Sequence, residues 1–158
     1  MTSNLVEDLV GALDQKNHRV AFAESCTGGL LSSWLTKRSG VSSVFQGSVV
    51  AYSNQVKAEV LGVGQKDLEQ FGAVSEVVAR QMAAGASRVL HSDWAVSITG
   101  IAGPNGGTPD KPVGLVCFGL FGPKVAVEAT QNFSGSREEI QTQSAEFALQ
   151  LLLDHMPS

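Results

Sequence analysis

The chain has 158 residues, a formal net charge of −4, 43% hydrophobic residues and only 16% charged ones. That length supports one domain over residues 1–158, with a core large enough to fold without disulfide or metal. The acidic balance excludes a general nucleic-acid binder, which needs clustered Lys and Arg; Lys37-Arg38 is the only adjacent basic pair. Cys26 and Cys117 stand without CxxC or Cys/His spacing, so no metal or cofactor is expected and a reducing compartment fits. With no basic leader and no run of about 20 apolar residues, a cytoplasmic protein without a membrane partner is expected.

In chain order, Leu5, Val6, Leu9, Val10 and Leu13 make a helical stripe over residues 4–16, with Asn4 and Glu7 spaced as a capping box. A strand over 19–24 runs into Gly28-Gly29, and a helix follows to about Arg38, stopped by Gly40. A second strand is predicted from Ser48 to Tyr52, then short helices over 54–61 and 66–71, separated by Gly62 and Gly64. A longer helix runs from its N-cap Ser75 to about Leu90. Its Ala and Gly content implies close packing, either internal or against another copy in a homo-oligomer.

The third strand, Trp94–Thr99, leads into a Gly/Pro-rich loop over 100–112, too long for a simple connector and read as a lid or a wide turn. Strands at 113–120 and 124–131 form an antiparallel hairpin, and a helix capped by Ser136 and Glu139 runs to about His155. Strands alternate with helices early and pair as a hairpin late. The predicted fold is therefore an α/β class, three-layer α/β/α sandwich on a mixed, partly parallel sheet.

Ligands of such sheets bind beyond the carboxyl ends of parallel strands. Three strand ends here are polar: Glu24-Ser25, Tyr52-Ser53-Asn54 and Ser97-Ile98-Thr99-Gly100. The run Ala23-Glu24-Ser25-Cys26-Thr27-Gly28-Gly29 places three nucleophile types side by side, before glycines and helix amides suited to an anion. Cys26 reads either as a thiol activated at a helix N-terminus or as a small buried residue, and Thr27 as the helix N-cap. Glu24 reads as a ligand for a substrate hydroxyl or as a brace of the turn.

A serine nucleophile needs a base. His18, His91 and His155 lie away from the strand ends, which leaves Lys57. By residue type, Lys57 reads as a solvated helix residue paired with Glu59 or Gln55; the alternative is a buried, neutral lysine acting as general base. Arg137, in the first turn of the last helix, reads as a solvent-facing side chain or as a phosphate ligand that offsets its unfavourable place there.

The motifs Ala23–Gly29, Tyr52-Ser53-Asn54 with Lys57, Gly72-Ala73-Val74-Ser75-Glu76, Thr99-Gly100-Ile101-Ala102-Gly103-Pro104 and Lys111-Pro112-Val113-Gly114 together resemble the CinA C-terminal domain family. The resemblance covers nearly the whole chain and is nearest to the stand-alone form. It implies a nicotinamide-nucleotide amidohydrolase that converts nicotinamide mononucleotide to nicotinic acid mononucleotide and ammonia, in pyridine nucleotide recycling for NAD synthesis. It also implies a Ser/Lys dyad of Ser25 and Lys57. Tyr52 is expected to relay protons or orient Lys57. Glu24, Thr27, Gly28, Gly29, Asn54, Thr99, Gly100 and Arg137 are the expected substrate-binding residues. The alternative is a catalytically silent nucleotide-binding or regulatory domain of the same fold.

Overall fold

A computed structural model of the protein describes residues 2–157. Five strands form one sheet in the order β2-β1-β3-β4-β5: β1 (Val20–Glu24), β2 (Phe45–Val50), β3 (Trp94–Gly100), β4 (Leu115–Gly122) and β5 (Val125–Asn132). β1 is parallel to both β2 and β3; β3, β4 and β5 are successively antiparallel. The central strands β1 and β3 are buried on both faces because helices cover both faces, as is usual for the parallel part of a sheet. β5 alternates half-buried and exposed residues, as an edge strand with one solvated face does.

The helices are α1 (Thr2–Lys16), α2 (Leu30–Thr36), α3 (Asn54–Glu59), α4 (Gln65–Phe71), α5 (Glu76–Leu90) and α6 (Arg137–His155). One face of the sheet packs on α1, α2 and α6 around Leu9, Leu13, Phe22, Trp94, Ile98, Phe118 and Leu149. The other packs on α3, α4 and α5 around Ala23, Ala51, Leu61, Val78, Met82 and Ala95. The three-layer α/β/α sandwich expected from the sequence is what forms.

The small residues of α5 are accounted for inside the molecule. A Cβ on Gly85 would overlap the Leu61 carbonyl, and one on Gly119 of β4 would overlap the Ala79 carbonyl. Helix α5 therefore lies directly on backbone on two sides.

Two local expectations are corrected. α1 already runs from Thr2, so Asn4 lies inside its first turn rather than capping it, and Glu7 pairs with Arg38 at 2.9 Å. The second strand starts at Phe45 and ends at Val50, because pairing with β1 begins at Val20↔Phe45 and finishes at Glu24↔Val50. Residues 51–53 are thereby freed to turn, and the Ser53 hydroxyl accepts from Val56 N–H at 3.1 Å to start α3. Among the described residues, no helix is long and apolar enough to cross a membrane.

Candidate active site

Ser25 is the first residue beyond β1. Its N–H extends the ladder by one bond to Ile98 O at 3.0 Å, and its carbonyl accepts from Gly28 N–H at 3.1 Å as the chain turns. Gly28 and Gly29 take φ of +62° and +108°, a region that side chains other than glycine's rarely enter.

The turn is braced from inside by Glu24. Its carboxylate is fully buried and accepts from Thr27 Oγ1 at 2.8 Å, Leu31 N–H at 2.9 Å, Ser32 N–H at 3.0 Å and the Ser32 hydroxyl. The Ser32 hydroxyl also meets that of Ser48 on β2, so strand, helix and neighbouring strand share one network. This corrects three expectations. Glu24 takes the second of its two expected roles, the brace of the turn: it and Thr27 are bonded to each other and buried, not turned to a substrate. Thr27 is not the cap of α2: Gly29 holds that position without a side-chain bond, and a strand carboxylate serves the first amides instead. With those amides spent on Glu24, the start of α2 does not offer an open anion site.

Lys57, on α3, is 1% exposed. Its Nζ lies 3.0 Å from Ser25 Oγ, 2.9 Å from Ala51 O and 2.9 Å from Tyr52 O. The solvated reading of Lys57 fails, and Gln55 pairs with Glu59 without it. Burial pushes the Lys57 pKa below the ordinary value of 10.5, opposed only in part by the Cys26 thiol. A neutral amine has two N–H donors and one lone pair. With two carbonyls placed to take the donors, an unprotonated Lys57 would turn its lone pair to Ser25 Oγ.

Cys26 is also buried, and its thiol is pushed up to about 11, chiefly by that burial. It is a thiol at neutral pH, whereas the Ser25 hydroxyl has an amine within hydrogen-bond reach.

A cavity of about 250 Å³ opens over this pair. Its walls are Ser25, Cys26, Tyr52, Ala73 and Val74, the β3 tip at Thr99 and Gly100, the loop residues Ile101, Ala102, Gly103, Asn105 and Gly106, and Arg137. Thr99 Oγ1 donates to Ala73 O at 2.9 Å, tying two walls together. The Lys111 ammonium donates to Phe71 O, fastening the long loop to the end of α4. Arg137 donates through Nη1 to Gly103 O and sits 3.5 Å from the Tyr52 hydroxyl. Tyr52, a 65% exposed residue, thus holds Lys57 by its backbone carbonyl, while its hydroxyl lies by Arg137 at the mouth rather than by Lys57.

Ser25, Tyr52, Thr99, Gly100 and Arg137 meet at the cavity; Gly28, Gly29 and Asn54 lie outside its lining. Residue-by-residue reading missed Ala73, Val74, Ile101, Ala102, Gly103, Asn105 and Gly106 as site residues, although the length of the Gly/Pro loop was the signal. A wider groove of about 410 Å³ between α1 and α2 includes Val6, Trp34 and Lys37, but it lies away from the strand tips and has no nucleophile–base pair. Among the described residues, no group of three His, Cys, Asp or Glu side chains is placed to hold a metal ion.

A family model for the CinA C-terminal domain matches residues 2–156. The chain belongs to that family. It is 49% identical over 140 residues to a CinA-like protein of Fervidobacterium nodosum, a match covering 89% of this chain and 34% of the relative. Against a CinA-like protein of Prochlorococcus marinus (strain AS9601) the identity is 48% over 147 residues, covering 91% and 35%. The chain thus spans about a third of the length of these curated relatives. The crystal structure of the competence/damage inducible protein CihA from Agrobacterium tumefaciens superposes with a TM-score of 0.94 at 37% identity, covering 97% of this chain and 94% of that one. A CinA superfamily protein from Enterobacter cloacae superposes at 0.95 with 29% identity, covering 99% and 93%. CinA-family membership is consistent with an enzyme, and the likeness to these structures extends over the whole sandwich.

Proposed function

We propose that this domain is an amidohydrolase that deamidates nicotinamide mononucleotide through a Ser25/Lys57 dyad. The observation that carries the reading is the buried Lys57 amine, whose two carbonyl acceptors leave its third direction on Ser25 Oγ at 3.0 Å. In this reading neutral Lys57 takes the Ser25 proton as Oγ attacks the carboxamide carbon. The proton then passes to the leaving nitrogen, ammonia departs, and water hydrolyses the Ser25 ester with Lys57 again as base. Ala73, Val74, Ile101 and Ala102 offer an apolar wall for the pyridine ring, and Arg137 at the mouth is suited to the phosphate.

The reading is tested by ammonia release from nicotinamide mononucleotide, comparing the wild type with Ser25→Ala. Turnover by the wild type and its loss in the variant supports the dyad. Equal activity in both would sink it, and tight nucleotide binding without turnover would favour the silent, regulatory alternative.

A further inference from the structure

The parallel ladder between β1 and β3 loses its next bond just where the site opens. Ser25 N–H donates to Ile98 O, so the following bond of a parallel pair would run from Gly100 N–H to Ser25 O. Ser25 O is instead taken by Gly28 N–H, because the chain has turned away. On its other side β3 is engaged with β4: Ile101 N–H donates to Leu115 O at 2.9 Å, and Thr99 pairs with Cys117. Gly100 N–H therefore faces the gap at the tip of β1, beside the Cys26 thiol, in the cavity that Ser25 lines. Among the described residues no carbonyl accepts from it, nor from the amide of Cys26, the residue directly after Ser25; both amides point toward the Cys26 sulfur, a weak acceptor that a stronger one can replace.

We propose that the backbone N–H groups of Gly100 and Cys26 are the oxyanion donors of this site. The inference rests on the amidase reading and adds to it the groups that stabilise the transition state. As the Ser25 Oγ–carbon bond forms, the carbonyl π pair moves onto oxygen and the Ser25 proton moves to Lys57. The resulting O⁻ lies against donors fixed by the sheet and the turn, which need no rearrangement to meet it. When the C–N bond breaks, its electron pair leaves with nitrogen, which takes the proton from Lys57, and the oxyanion pair re-forms the carbonyl.

Residue 100 cannot report this through its side chain, because a Cβ there would lie 2.7 Å from Val116 Cγ2 and 2.9 Å from Leu115 O. The test is a backbone ester in the full chain, with glycolic acid in place of Gly100, which removes the N–H and keeps the shape. A control ester, with 2-hydroxy-3-methylbutanoic acid in place of Val96, removes a donor on the same side of β3, deeper in the sheet and away from the cavity. For ammonia release from nicotinamide mononucleotide, the ester at 100 is expected to lower kcat by about 100- to 1,000-fold with KM nearly unchanged. The control is expected to keep kcat within about twofold, whatever it loses in stability. A kcat near wild type for the ester at 100, or equal losses in both esters, overturns the proposal and leaves the dyad standing. No ammonia from the wild type, or full activity in Ser25→Ala, instead overturns the amidase reading and the oxyanion assignment with it.

Discussion

Lys57 Nζ meets Ser25 Oγ at 3.0 Å from the far side of a turn that also presents it with two backbone carbonyls, and among the described residues no carboxylate bonds to it. A surface lysine owes its charge to water and to acidic neighbours. Here water is excluded and the neighbours are neutral, which is the environment that turns an ammonium into a base.

Lys57→Met keeps the length of the side chain and removes the amine. Ammonia release from nicotinamide mononucleotide is expected to fall by at least about 1,000-fold, as in Lys57→Ala, because the serine loses its base. Retention of nucleotide affinity, measured by calorimetry, checks that the loss is chemical. Activity within about tenfold of wild type in Lys57→Met would remove Lys57 from the mechanism.

The pH dependence has a definite sign. Folding lowers the Lys57 pKa below 10.5, so over that window the unfolded chain holds the proton that the folded one has lost. Stability therefore gains from Lys57 as pH rises from the folded value towards 10.5, and its burial penalty is fully present below the folded value. Urea midpoints across this range should show that contribution in the wild type, with the slope reduced in Lys57→Met. In the same proteins, kcat/KM of the wild type should rise with pH through an apparent pKa below 10.5.

Glu24→Ala would strip four donors of their acceptor, two of them buried and two half-buried. We expect a loss of about 3 kcal/mol or more in unfolding free energy. Activity measured well below the melting transition should fall as well, because the turn carrying Ser25 is no longer braced. Unchanged stability would mean that Thr27, Leu31 and Ser32 find other partners.

Arg137→Ala should raise KM for nicotinamide mononucleotide by about 10- to 100-fold, with a smaller change in kcat. Nicotinamide riboside, which lacks the phosphate, should be handled about equally by wild type and variant. Equal losses with both substrates would instead assign Arg137 to holding Gly103 and the loop.

Gly119→Ala tests the packing of α5 on β4. The added Cβ would overlap Ala79 O and come within 2.8 Å of Ser97 Oγ, and the strand cannot move without the sheet. A loss of about 3 kcal/mol or an insoluble product is expected, read by thermal melts or soluble yield.

Much of this molecule was legible in the order of its residues. Apolar patterning together with glycine and proline breakers located the six α-helices and five strands among the described residues, and the Ser75 and Ser136 caps stand at the predicted positions because capping is local. Local reasoning failed where a distant partner set the outcome. The start of β2 was decided by its register with β1, and the cap of α2 by Glu24, a strand residue seven and eight positions before the amides it serves.

The site divides along the same line. By itself the sequence determined that a candidate nucleophile would stand at a strand tip, that no histidine was at hand to activate it, and that polar residues would follow the ends of neighbouring strands. These follow from strand order, spacing and residue type. Only the tertiary structure decided that Lys57 is dry and aimed at Ser25, that Glu24 faces inward, and that Tyr52 contributes a carbonyl rather than its phenol. Those outcomes depend on burial and on the direction of individual bonds, and both arise only when segments 32 residues apart, such as Ser25 and Lys57, are packed against one another.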